Sequence, residues 1–188
     1  MNICYVNPTI LIRRPIAELI DKLSSEHEIA ILTPKKPFKK VDESWHSNDA
    51  LKKAKIYSYS AINLPFLKSE WPIPLTPMFF INLFKVFSKY HVVHMWTYFY
   101  ISSLFAFIYK LFFRKTRFIM SCDTFPGYSF DPGLLMNLSF KAYNNLLGWL
   151  LFSTPDKIHI YGNSMIQYAR KAGIKKDKII VIPTGINL

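Results

Sequence analysis

Cysteine is scarce in this chain of 188 residues: only Cys4 and Cys122 are present, both inside apolar runs. That excludes a disulfide framework, makes both residues core candidates, and fits a reducing cytoplasm. Acid is scarce as well. Twelve Asp and Glu stand against twenty-four Lys and Arg, for a formal charge of +12 and a pI near 9.7. The simplest explanation of such an excess is an anionic partner: nucleic acid, a phosphorylated ligand or anionic lipid. Glycine-rich phosphate loops are missing; neither G-x-G-x-x-G nor a Walker A pattern follows the first apolar run, which counts against an ordinary dinucleotide or P-loop site. The five histidines (His27, His46, His91, His94, His159) have no H-E-x-x-H spacing and no accompanying Cys/His cluster, so no metal site is expected. No secretory signal opens the chain, because Met1 to Val6 leads into Asn-Pro and a charged amphipathic stretch. The longest apolar stretch, Met95 to Phe113, carries Lys110 and two serines, falls short of the roughly 20 clean residues a spanning helix needs, and reads as a buried or interfacial helix.

What is there is a globular composition, 51% hydrophobic and 16% aromatic, with enough apolar mass for one sizeable domain. Ile3 to Val6, ended by Asn7-Pro8, reads as a buried parallel strand and its exit turn. Pro15 then opens a helix with Ile16, Leu19, Ile20 and Leu23 on one face, and Glu28 to Thr33 gives the next strand, stopped by Pro34 and a run of lysines. A third strand is expected over Ile56 to Ser60. Ile62 to Leu75, with Pro65, Pro72 and Pro74 among apolar residues, is expected to form no regular element and to lie against something. Thr76-Pro77 is read as a cap and first helical position launching a helix over Met78 to Lys89, apolar on nearly every face. Further strands are expected at Val92 to Trp96, Arg117 to Cys122, Lys157 to Tyr161 and Ile179 to Ile182, separated by helices over Thr97 to Phe113 and Leu134 to Phe152. A last helix is opened by a Ser164/Gln167 capping box and closed by Gly173. Alternation of this kind predicts an α/β fold, a Rossmann-like parallel sheet with helices on both faces. No internal repeat is present.

Ligands of open parallel sheets sit at the carboxyl ends of strands, which directs attention to Asn7 to Arg14, Trp96 to Tyr98, Cys122 to Tyr128 and Gly162 to Ser164. Arg13 and Arg14, two guanidiniums just before a helix, suit a phosphate, or are solvated arginines of a basic protein. Asp123, followed by Phe125-Pro126-Gly127-Tyr128, is a carboxylate held by a rigid turn, able to orient a sugar hydroxyl or take its proton; a turn-forming Asp is the alternative. His94 either reaches the cleft or is a hydrogen-bonded structural histidine. Lysines and arginines cluster at Lys35 to Lys40, Lys52 to Lys55, Lys110 to Arg117 and Arg170 to Lys178, several beside aromatics. No nucleic-acid module is recognisable, whereas basic residues next to Phe66, Trp71, Phe79, Phe80, Phe84 and Lys85 follow the pattern of an anionic membrane surface. Packing in the core is the competing role for these aromatics.

The order of motifs carries a resemblance. It runs from an N-terminal β-α-β through Val-Val-His-Met-Trp, Phe-Ile-Met-Ser-Cys-Asp-Thr-Phe-Pro-Gly-Tyr and Lys-Ile-His-Ile-Tyr-Gly-Asn-Ser to a tail of Ile182-Pro183-Thr184-Gly185-Ile186-Asn187. This resembles the N-terminal domain of GT-B retaining glycosyltransferases of the group 1 type, in which the tail reads close to Ile-Pro-Asn-Gly-Ile-Asp. The resemblance implies a Rossmann-like acceptor-binding domain over residues 1–183, with 184–188 beginning the linker to a C-terminal donor domain that carries the nucleotide-sugar site. It implies no cofactor, since the nucleotide-sugar is a substrate, and a fragment that does not catalyse alone. The family's histidine position falls on Cys122 and the position after it on Asp123. Thr9 to Arg14 replaces the family's glycine pair, Tyr128 lies in the following turn, and Ser164 matches a position that opens a helix facing the cleft. Basic, aromatic members act on lipid-linked acceptors at the cytoplasmic membrane face, so the implied partners are an anionic membrane surface, a lipid-linked or glycan acceptor and the donor domain, with no nucleic acid. The rival reading is a non-catalytic basic Rossmann-like module that scaffolds a complex or binds nucleic acid; a split transferase with a separate donor polypeptide is a second enzyme reading.

Overall fold

The computed structural model describes residues 1–9, 12, 14–35, 52–63, 71–74, 76–130 and 133–183, the side chains of residues 14, 15 and 63 excepted. The chain opens with β1 (Asn2–Val6), α1 (Arg14–Leu23), β2 (Glu28–Pro34) and β3 (Lys55–Tyr59). A short pair, β4 (Ala61–Asn63) and β5 (Pro72–Pro74), precedes α2 (Pro77–Lys89), β6 (Val92–Trp96) and α3 (Ile101–Phe112). Then come β7 (Arg117–Cys122), α4 (Leu134–Ser153), β8 (Lys157–Ile160), α5 (Ile166–Lys171) and β9 (Ile179–Val181).

Seven strands form one sheet in the order β3-β2-β1-β6-β7-β8-β9, and every neighbouring pair is parallel. The expected Rossmann-like α/β sheet is therefore present. Right-handed crossovers dictate where the helices go. Steps from β1 towards β2 put α1 on one face, and steps in the other direction, from β6 through β9, put α3, α4 and α5 on the opposite face. Strand alternation matches this division. Ile3, Tyr5, Ile29 and Ile31 pack with Ile16 and Ile20 of α1. Their neighbours Cys4, Val6, Ala30, Leu32, Val93 and Met95 pack in the larger cluster with Phe79 and Leu83 of α2, Phe107 of α3 and Leu151 of α4.

Three local expectations are corrected. Residues 61–63 and 72–74 form an antiparallel ribbon with Ile62 opposite Ile73 and both prolines of β5 at its ends, a two-stranded arrangement in which the missing proline N–H groups break no central ladder. The helix expected from Thr97 starts only at Ile101, because Thr97 adopts φ 59° and cannot continue a right-handed helix. Ser164 forms no capping box: it lies inside a 3-10 turn, Asn163–Met165, that runs into α5 without a side-chain cap.

Lys110, in the apolar α3, has a specific partner set. Its ammonium donates to the Thr116 carbonyl (2.6 Å), the Arg114 carbonyl (3.2 Å) and Asp156 Oδ2 (3.1 Å). Three donors meet three acceptors while the alkyl stem stays in the core. The same Asp156 oxygen accepts the Phe118 N–H at 2.7 Å, and Thr116 Oγ1 donates to the Phe87 carbonyl at 2.7 Å. The ends of α2 and α3, the start of β7 and the turn before β8 are thereby tied together at the amino edge of the sheet. Lys110→Met keeps the stem but leaves those acceptors without the ammonium, so urea titration is expected to show a loss of about 2–3 kcal/mol in unfolding free energy.

Candidate functional site

The carboxyl edge of the sheet carries the loops after β1, β6, β7 and β8. Asn7, buried at the end of β1, donates its side-chain N–H to the Thr9 carbonyl (2.6 Å) and to Thr33 Oγ1 (3.4 Å), which fixes the first loop against β2. Thr97, at the end of β6, is held in its left-handed conformation by donation of its N–H to the Ser121 carbonyl (2.8 Å). A β-branched residue in that region stores strain, and such strain collects at functional edges. After β7, Asp123 leads into a tight loop in which Ser129 Oγ accepts the Phe125 N–H at 2.7 Å. Gly127, at φ 85°, is required there: a Cβ would come within 3.2 Å of the Asn137 and Lys141 side chains.

Beside this edge, on the α1 face, lies a cavity of about 220 Å³ floored by the sheet and walled by Leu19 and Trp96. Its floor carries a ladder contributed by three adjacent strands. His94 Nε2 lies 2.6 Å from Ser121 Oγ, which lies 2.8 Å from His159 Nδ1, and His159 Nε2 lies 2.8 Å from the Ile182 carbonyl. The carbonyl can only accept, so His159 carries its proton on Nε2 and accepts from the Ser121 hydroxyl, which in turn accepts from His94 Nε2. Burial, and secondarily the neighbouring His159, pushes the pKa of His94 down to about 4. His94 is therefore neutral near pH 7, and this direction of donation places its proton on Nε2.

The expected site residues fall in different places. His94 lines the cavity; Asp123, Tyr128 and Ser164 lie outside it on the loops. Asp123 is half-buried and within 3.5 Å of Thr124 Oγ1. β1 and β7 flank β6, so the first loop and the Asp123 loop leave the sheet about 10 Å apart across the strands. Arg14 opens α1 on the backbone, while Arg13, the Arg14 side chain, Phe66 and residues 184–188 lie outside the described residues. Cys122 is a correction: its thiol is fully buried on the helix-rich face, where desolvation and then the Asp123 charge push its pKa up, so it packs the core and does not face an acceptor. Phe79 is another, at 0% exposure against Tyr59, so it does not meet a membrane. Phe80 is half-buried against Phe105, Trp71 packs on Phe99 and Tyr100, and Phe84 (56% exposed) and Lys85 face solvent. Ser121 and His159 were not among the expected site residues. Alternation places each on one face of its strand, but only the register of β6, β7 and β8 brings them into line with His94.

Because unfolded His94 takes up a proton near pH 6.5 and the folded residue only near pH 4, the unfolded chain binds more protons in between. Stability is full above that window and falls with decreasing pH at up to about 1.4 kcal/mol per unit. Urea midpoints measured across it are expected to follow this slope in the wild type and to lose about one proton of it in His94→Gln.

Solved structures with the same fold include Anabaena Alr3699/HepE in complex with UDP, at TM-score 0.62 and 11% identity over 99% of this chain and 44% of that one. A sucrose-phosphate synthase of Thermosynechococcus elongatus aligns at TM-score 0.58 and 14% identity, covering 100% of this chain and 91% of that one. The UDP-N-acetylglucosamine 2-epimerase of Rickettsia bellii aligns at TM-score 0.54 and 11% identity, over 95% and 43%. This chain thus spans less than half the length of HepE and of the epimerase. Among curated proteins none matches in sequence. The family model described as Glycosyltransferase Family 4 matches residues 13–188, nearly the full length, and the chain belongs to that family.

Proposed function

We propose that this chain is the N-terminal, acceptor-binding half of a retaining GT-B glycosyltransferase that moves a sugar from a nucleotide-sugar to a lipid-linked acceptor at the cytoplasmic face of the membrane. The observation that carries the reading is the family match over residues 13–188 on a chain that covers 44% of HepE, as one lobe of a two-lobed enzyme would. Residues 1–183 form the acceptor lobe and 184–188 begin the linker to a donor lobe. The HepE structures in complex with UDP and with UDP-glucose support a uridine diphosphate sugar as the donor class.

In this reading the carboxyl edge of the sheet faces the donor lobe. The acceptor oxygen forms a bond to the anomeric carbon, the bond from that carbon to the nucleoside diphosphate breaks, and the acceptor hydroxyl loses its proton. Asp123 orients that hydroxyl and takes the proton. Arg13 and Arg14 hold an acceptor phosphate beside the start of α1. Tyr128 and Ser164 border the acceptor, and His94 acts from the cavity floor through the Ser121–His159 ladder. Phe84 and Lys85 contribute to lipid contact.

The test pairs this chain with its donor half and follows transfer of labelled sugar from UDP-sugars into extracted membrane lipids. Asp123→Asn is expected to lower kcat by about 10²–10⁴ with an unchanged urea midpoint. Full activity in that variant overturns the role of Asp123. Absence of transfer, together with salt-sensitive retention on DNA or RNA, favours the basic binding module over the transferase.

A further inference from the structure

Helix α4 is apolar on two sides. Its inner side is accounted for: Leu150 and Leu151 are buried, and Tyr143 and Leu147 pack on the core. Its outer side is not. Leu135, Leu138, Leu146 and Trp149 are 79%, 57%, 73% and 67% exposed, and their spacing of three, eight and three residues puts them along one stripe. Leu134 and Phe130 extend the stripe at the amino end of the helix. A second apolar side on a helix calls for a second apolar surrounding, and the outer side of α4 is not in a core. Among the described residues no helix is long and apolar enough to cross a membrane. An orientation in the plane of the interface is the remaining lipid geometry.

Charge selects the occupant. No Asp or Glu occurs anywhere in α2, α3 or α4. Lys141 stands exposed on α4, with Lys85 on α2 and Arg114 and Lys115 just after α3. At the carboxyl end of α4 a groove of about 540 Å³ is lined by Asn144, Asn145, Trp149, Lys175 and Lys178. Lys178 donates to the Ser153 and Pro155 carbonyls, and Lys175 is left at the groove's exposed flank. A tryptophan at the border between an apolar stripe and a lysine-lined amide groove is an arrangement suited to the headgroup level of a bilayer. A protein partner would need acidic complementarity to these cations and an apolar groove for the stripe; an anionic bilayer supplies both at once.

We infer that the outer stripe of α4 docks this domain on an anionic phospholipid bilayer, with α4 lying in the interface and the groove beside Trp149 receiving a lipid phosphate. This deepens the lipid-acceptor reading and rests on it for the identity of what is presented there. α4 runs antiparallel to the strands, so its Leu134 end adjoins the Asp123 to Phe130 loop. Docking along the helix therefore sets the carboxyl edge of the sheet at the bilayer surface, where a lipid-linked acceptor projects.

The test is co-sedimentation of the full chain with phosphatidylcholine vesicles, with and without phosphatidylglycerol. The wild type is expected to bind the anionic vesicles and not the neutral ones. Leu138→Glu and Trp149→Glu are expected to weaken partitioning at least about tenfold, given the cost of placing a charge in the apolar interface. Ile56→Glu, at an exposed apolar site elsewhere, is expected to leave it unchanged. All three positions are exposed, and equal urea midpoints confirm that the variants fold. Equal binding of the α4 variants and the wild type overturns the inference, as does equal binding to neutral vesicles or no binding at all. A wild-type dimer that Leu138→Glu dissociates in sedimentation velocity overturns it too, because the stripe is then covered by a second copy. Transfer with the donor half to a detergent-dispersed lipid acceptor separates the two claims. Leu138→Glu is expected to retain that transfer and lose transfer on vesicles. Intact anionic-vesicle binding without any transfer in detergent sinks the acceptor reading and leaves the docking surface standing.

Discussion

The handedness of the crossovers between parallel strands governs the rest of this molecule. Once β1 sits between β2 and β6, the chain must step one way for α1 and the other way for α3, α4 and α5. That asymmetry determines which residues of each strand are dry. The helix-rich face takes the aliphatic and aromatic mass, including Cys4 and Cys122, while the α1 face keeps room for polar side chains over β6, β7 and β8. The His94–Ser121–His159 ladder lies there, on the floor of the cavity beside α1.

The two edges of the sheet do different work. At the amino edge Lys110, Asp156 and Thr116 join helices and strands in a network in which each of these donors finds an acceptor and one Asp156 oxygen takes two. At the carboxyl edge the connections are tighter and less relaxed: Thr97 is left-handed, Gly127 sits at positive φ with its neighbours close, and Asn7 ties the first loop to β2. The satisfied hydrogen bonds thus gather at one edge and the backbone strain at the other.

Much of this was readable in the residues. Unbroken apolar runs located most of the main strands, and Pro77 and the stripe of Ile16 and Ile20 located helices, since burial and backbone restriction act locally. The strands at 61–63 and 72–74 were not legible, because the rule against proline in strands weakens in a two-stranded ribbon. The placement of His94 and Asp123 at strand ends was visible; the alignment of Ser121 and His159 with His94 was not, because cross-strand register depends on contacts far apart in sequence. The role given to Phe79 failed for a related reason. An aromatic on an all-apolar helix gives no sign of which side the sheet will occupy, and here Tyr59 and Phe105 enclose it.

Thr97 has a consequence for anyone engineering this chain. It is the one non-glycine residue with positive φ among the described residues, and its side chain is almost wholly enclosed. A stabilisation campaign that ranks positions by backbone discomfort would choose it first and offer glycine or asparagine. Relaxing it would also free the segment that leads from β6 into α3, so improved thermal tolerance and a less defined carboxyl rim of the sheet would arrive in the same variant.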